Sequence, residues 1–81
     1  MKYKETLNVL KERNDELLAF YMKQDDEKNV KLHFVIKSIL ASDKPFTHLN
    51  ADVSMNILKD LNFTDQVAFD MYKVLVFGKI W

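Results

Sequence analysis

Acidic side chains are the first place where chemistry could reside in this chain. Glu12, Asp15 and Glu16 cluster in one stretch, and Asp25, Asp26 and Glu27 follow one another directly. Glu12 and Glu16 fall on one helix face, as an acid–base pair would, but such a pair also needs a pocket that raises one pKa. Lys11 and Arg13 flank it, so the sequence reads it as a solvated face. The 25–27 run lacks the alternating oxygen ligands and turn glycine of a calcium loop, and it reads as the electronegative start of a helix. His33 and His48 are the two histidines, and neither has a histidine or cysteine close by in sequence. Asp52 lies one helical turn after His48, but one His and one Asp fall short of a zinc site. Both histidines are read as surface or packed residues. Ser38, Ser42 and Ser54 lack the Gly-x-Ser-x-Gly setting of an activated serine. The chain has no cysteine, which removes thiol nucleophiles, thiolate metal sites and disulfides together. No catalytic, cofactor-binding or metal-ligating residue is assigned, and the chain is expected to act without a cofactor and not as an enzyme.

Glycine scarcity points the same way. Gly78 is the one glycine and Pro45 the one proline in 81 residues. Phosphate-cradling loops, dinucleotide folds and tight hairpins need glycine where the backbone turns left-handed or approaches a ligand closely. Eighty-one residues make one domain, here 1–81. A hydrophobic content of 48% is ample for a small core, and 30% charged residues keep the surface wet. Twelve basic residues balance twelve acidic ones, so no global field draws the protein to nucleic acid, anionic lipid or an acidic substrate. No apolar run approaches the ~20 residues that span a bilayer. Met1-Lys2-Tyr3-Lys4-Glu5 leads straight into an amphipathic pattern instead of an apolar signal core. A soluble, cytoplasmic protein with no membrane partner is expected. The Lys, Asn and Asp usage suits an AT-rich bacterial or phage genome.

Periodicity predicts four helices, an all-α bundle or helix-turn-helix-like cluster. The first runs from Lys2 to Lys23, with Tyr3, Leu7, Leu10, Asn14, Leu17 and Tyr21 on one stripe, widened by Leu18 and Phe20. The second runs from Asp26 to Ala41 with Leu32, Val35, Ile36, Ile39 and Leu40 facing inward, although Val30 to Phe34 also alternates as a strand would. Pro45 sets a boundary in the loop 42–48. Asn50 is a cap for a third helix, Ala51 to Leu61, which buries Val53, Ile57, Leu58 and Leu61. Thr64 caps a fourth, beginning at Asp65, which Gly78 can end as a left-handed cap. Residues 72–81 read as either helix or strand.

Two stripes carry the functional expectations. In the first helix, Leu7 and Asn14 at a positions with Leu10 and Leu17 at d resemble the seam of a two-stranded parallel coiled coil, in which the amide fixes register. The competing assignment is the packing face of an intramolecular bundle, which the widening by Leu18 and Phe20 favours. In the fourth helix only Asp70 and Lys73 are polar between Val67 and Phe77. An element apolar nearly all round is a core helix or one side of an interface. Phe69, Tyr72 and Val76, with Phe77 and Trp81, are the candidate contact residues, because aromatic anchors often dominate interface energies.

Residues 32–80 also resemble the order of elements in winged-helix or helix-turn-helix domains. An apolar helix ending Ile39-Leu40 is followed by a loop holding Pro45 and Thr47, by Ile57-Leu58-Lys59-Asp60-Leu61-Asn62-Phe63-Thr64, and by Tyr72-x-x-Leu75-Val76-Phe77-Gly78-Lys79-Ile80. Asn62 stands where that family usually has a turn glycine. The resemblance implies a recognition helix presenting Asp65, Gln66, Phe69, Asp70 and Lys73. Two carboxylates would then face phosphates with one lysine to help, and counterion release from so few cations is small. A face formed by Lys59, Lys73 and Lys79 would favour DNA. The sequence therefore predicts a non-enzymatic regulatory or adaptor protein that acts through protein–protein contacts, as an inhibitor or modulator of a larger bacterial or phage target. The alternatives are a DNA-binding helix-turn-helix regulator, a homodimeric assembly piece and a bacteriocin-immunity-like bundle.

Overall fold

Helix boundaries fall where capping chemistry places them. A computed structural model describes residues 2–42, 45–47 and 49–77. They form four helices: α1 (Tyr3–Lys23), α2 (Glu27–Ala41), α3 (Ala51–Asp60) and α4 (Asp65–Phe77). Among the described residues there is no strand. Val30 to Phe34 lies inside α2, and residues 72–77 are helical. Gly78, Lys79, Ile80 and Trp81, and with them the expected glycine cap, lie outside the described residues.

The N-caps of α2, α3 and α4 are side-chain oxygens that satisfy amides left without intrahelical partners, whereas Lys2 before α1 makes no side-chain cap. Asp26 accepts from the Asn29 amide N–H at 3.3 Å and from Asn29 Nδ2 at 2.7 Å. Asn50 accepts from the Val53 N–H at 2.8 Å, and Thr64 from the Val67 N–H at 3.3 Å.

Both short connections solve the same problem the same way. After α1, the Asp26 N–H bonds to the Tyr21 carbonyl and the Asp25 N–H to that of Met22. After α3, the Phe63 N–H bonds to the Leu58 carbonyl and the Asn62 N–H to that of Lys59. This paired reverse bonding is the Schellman motif, which needs one residue in the left-handed region. Asp25 (φ 53°) and Asn62 (φ 67°) take that role. Short polar side chains tolerate the conformation, but glycine carries no Cβ penalty there. Asn62→Gly should therefore raise stability by about 0.5 kcal/mol, once the added chain entropy of the unfolded state is subtracted. A higher urea midpoint with an unchanged slope would register it.

The α1–α2 hairpin is the largest helix–helix contact. α4 packs on α1, and α3 packs on α4. The core joins Leu10 of α1, Ile36 and Leu40 of α2, Ile57, Leu58 and Leu61 of α3 and its cap, and Ala68, Met71 and Leu75 of α4. Phe46, from the loop between α2 and α3, is buried among them. Arg13 fastens α1 to the α3–α4 turn. Its Nη1 donates to the Leu61 carbonyl at 2.9 Å, and its guanidinium sits 4.6 Å from the centre of the Phe63 ring. The bond satisfies a helix-end carbonyl, and the stacking adds a cation–π attraction.

The inward face of α2 differs from the expectation. His33, Ile36 and Leu40 form its buried line, while Leu32 and Val35 are exposed, Val35 at 57%. The cause lies across the hairpin. Asn14 of α1 faces α2 and pairs with His33, which turns α2 so that the histidine points inward. Phe20 and Val53, also expected on buried sides, are exposed as well.

Candidate interaction surface

α4 buries Ala68, Met71, Val74 and Leu75, whose spacing of three, three and one defines one side of a helix. The opposite side carries Phe69, Lys73 and Phe77, with Tyr72 and Val76 at its border. Phe69 is 50% exposed and Phe77 55% exposed, whereas Tyr72 and Val76 are partly buried against the core. The candidate contact residues thus divide into two half-exposed phenylalanines and two residues that shoulder them. Trp81 lies outside the described residues.

Polar contacts order this side. Lys73 Nζ lies 4.8 Å from the centre of the Phe69 ring and 3.5 Å from Asp70 Oδ1. Gln66 Nε2 donates to the same Asp70 Oδ1 at 3.2 Å. The Tyr72 and Phe77 rings meet edge to face, 6.2 Å apart. Together these contacts hold an aromatic surface with one cation resting on it, so less side-chain freedom is lost when a partner docks.

The cations that a DNA-binding face would need are engaged locally. Lys59 pairs with Asp65 at 3.2 Å, and Lys73 pairs with Asp70. Lys79 lies outside the described residues. Exposed pairs like Lys59–Asp65 contribute little stability, yet each places a carboxylate where a phosphate would sit.

The first-helix stripe is occupied within the chain. Leu10 is fully buried, Leu7 and Leu17 pack against the core, and Asn14 is 1% exposed. Asn14 Nδ2 donates to the His33 carbonyl at 3.0 Å, and Asn14 Oδ1 lies 2.7 Å from His33 Nδ1. A carbonyl only accepts, so Nδ2 must face it and Oδ1 must face the ring. His33 Nδ1 therefore carries the proton. The Tyr21 ring stacks on the imidazole with centres 5.3 Å apart.

Burial lowers the His33 pKa from its ordinary 6.5, and the charge of Asp60 works in the opposite direction. The folded protein thus binds the His33 proton less readily than the unfolded chain, so stability falls as pH drops through about 6.5 and levels off below the folded pKa. Thermal midpoints should be flat above about pH 7.5 and lower at about pH 5.5. His33→Gln should remove that slope, and a wild-type slope surviving in this variant would exclude His33 as its source.

The acidic pairs are surface features. Glu12, Asp15 and Glu16 are exposed, and Asp15 pairs with Lys37 at 3.6 Å. That pair lies at a cavity of about 190 Å³ lined by Lys11, Asn14, Asp15, Lys37, Leu40 and Ala41. Asp26 is a helix cap. Among the described residues no group of three or more histidine and carboxylate side chains could hold a metal ion, and no helix is long and apolar enough to cross a membrane. His48 lies outside the described residues.

Sequence reasoning missed the exposed face of α2, where Leu32, Phe34 and Val35 crowd within four positions. The signal was present. His33, Ile36 and Leu40 are spaced three and four apart, and accepting histidine as a core residue would have placed Leu32 and Val35 outside.

No family model, curated protein or solved structure matches this chain.

Proposed function

We propose that this protein is a small non-enzymatic binding module that modulates a larger protein by docking the outer side of α4 against it. The observation that carries this reading is the half-exposed Phe69 and Phe77, held on one helix side with Lys73 seated over Phe69. Phe69 and Phe77 with the bordering Tyr72 and Val76 form a grouped apolar patch, which is the kind of surface that marks contact sites, and aromatic side chains are common interface anchors.

The α3–turn–α4 unit supports a second reading, a helix-turn-helix that contacts DNA through α4. Its weakness is electrostatic, because Asp65 and Asp70 take up the nearest lysines. Duplex DNA should accordingly bind no more tightly than a non-specific surface does, about 10⁻⁴ M or weaker at physiological salt.

Affinity capture from the source cell, comparing wild type with Phe69→Ser, separates these readings. The docking role requires a nuclease-resistant protein partner that Phe69→Ser loses while the helical circular dichroism stays the same. A partner retained by both Phe69→Ser and Phe77→Ser would sink it, and a nuclease-sensitive complex would favour DNA.

A further inference from the structure

Two exposed helix faces of this chain complement each other in charge. On α2, Lys28, Lys31, Leu32 and Val35 recur at i, i+3, i+4 and i+7, and all four are exposed. That spacing makes one continuous strip, basic at one end and apolar at the other. On α1, Glu5, Val9, Glu12, Glu16 and Phe20 recur at i, i+4, i+7, i+11 and i+15, and all five are exposed. This second strip is acidic with apolar residues interleaved, and lysine appears on it only beyond its ends, at Lys2 and Lys23.

Among the described residues, Lys28, Lys31, Glu5, Glu12 and Glu16 have no ion-pair partner. Arg13, the cation beside the acidic strip, is committed to the Leu61 carbonyl and the Phe63 ring. Like charges one turn apart repel, as Glu12 with Glu16 and Lys28 with Lys31 must do here. Each strip carries like-charge repulsion that an opposite strip would relieve, on α2 offset in part by Glu27 one turn before Lys31, and each carries exposed apolar surface that the same contact would cover.

We propose that the basic-apolar face of α2 docks on the acidic-apolar face of α1 of a second copy of this chain. Lys28 and Lys31 set against Glu12 and Glu16 fix the register, and Leu32 and Val35 then pack against the apolar residue at one end of that pair, Phe20 in a parallel and Val9 in an antiparallel crossing. The chain carries both halves of the interface, so the partner that its chemistry describes is itself. This surface is separate from the outer side of α4, so self-association and target docking can be tested apart.

Sedimentation of the full chain over a wide concentration range tests the proposal. The mass of the wild type should rise with concentration, and association should weaken on the order of tenfold between about 0.05 M and about 0.5 M salt, because exposed charges are screened. Lys28→Glu with Lys31→Glu, and separately Glu12→Lys with Glu16→Lys, should each sediment as monomers with unchanged circular dichroism. All four sites are exposed, so the fold should tolerate them. An equimolar mixture of the two reversed proteins should associate again, since each then offers what the other lacks. A wild type that stays monomeric at low salt overturns the proposal. So does association that survives both charge reversals, which would point to the α4 side instead, or a mixture that fails to associate.

Discussion

Asn14→Leu should destabilise the fold by about 2–3 kcal/mol while leaving the solution mass unchanged. The amide is buried against α2, so its removal strands the His33 Nδ1–H in an apolar interior. An unsatisfied buried donor costs its full desolvation penalty, which exceeds the modest net value of the bond it had made. For a domain of this size a loss of 1 kcal/mol lowers the thermal midpoint by about 4–8 °C, so the shift should be plain in a melting curve. His33→Leu should cost a similar amount, because it leaves the Asn14 Oδ1 without its donor.

The double replacement discriminates between packing and pairing. With both groups gone no buried polar atom of the pair is left unmet, so Asn14→Leu with His33→Leu should cost less than the sum of the two singles, by about 1–2 kcal/mol. Additive losses would mean that the two side chains act independently, against the 2.7 Å contact between them. The unchanged mass is the second arm. A buried asparagine at a coiled-coil a position governs oligomeric state. Here the same residue faces a histidine of its own chain, so an effect on assembly would contradict that placement.

The sequence disclosed most of the framework, because the framework rests on local chemistry. Asn50 and Thr64 announce their helices by residue type, since a short polar side chain before an apolar period can accept from the third amide onward. Pro45 and the 25–27 acids mark breaks for equally local reasons. What stayed hidden depends on contacts distant in sequence. Periodicity alone gave α2 an inward face through Leu32 and Val35, and only the pairing of His33 with Asn14, nineteen residues away, turns the helix to its actual setting. The aromatic side of α4 was partly legible. Its apolar excess showed that something beyond one buried stripe was present, but the division into buried Met71 and Leu75 and exposed Phe69 and Phe77 follows from where α1 and α3 lie. The sequence left open whether Lys59 and Lys73 share a cationic face, and the fold pairs them with Asp65 and Asp70.

Phe46→Ala should have the largest effect of any single substitution considered, about 3–5 kcal/mol, the usual loss for deleting a buried aromatic ring. A loop residue earns that rank through its position. α2 has its principal packing partner in α1, and α3 has its own in α4; α4 joins the two halves where it packs on α1, and the α2–α3 side of the junction needs other material. Phe46 supplies it. It is 2% exposed, belongs to the same core as Leu40, Ile57 and Leu58, and is the largest fully buried side chain among the described residues. Pro45 beside it is buried too, and its fixed φ limits the conformations open to the unfolded loop. Set against a total stability of roughly 4–12 kcal/mol for a domain of this length, the loss would remove from about a quarter to all of it. Phe46→Leu keeps most of the volume and should cost far less, about 1–2 kcal/mol. Urea titrations of the two variants check the argument. If Phe46→Ala melted like Phe46→Leu, the ring would not be filling the space between the hairpin and the α3–α4 pair.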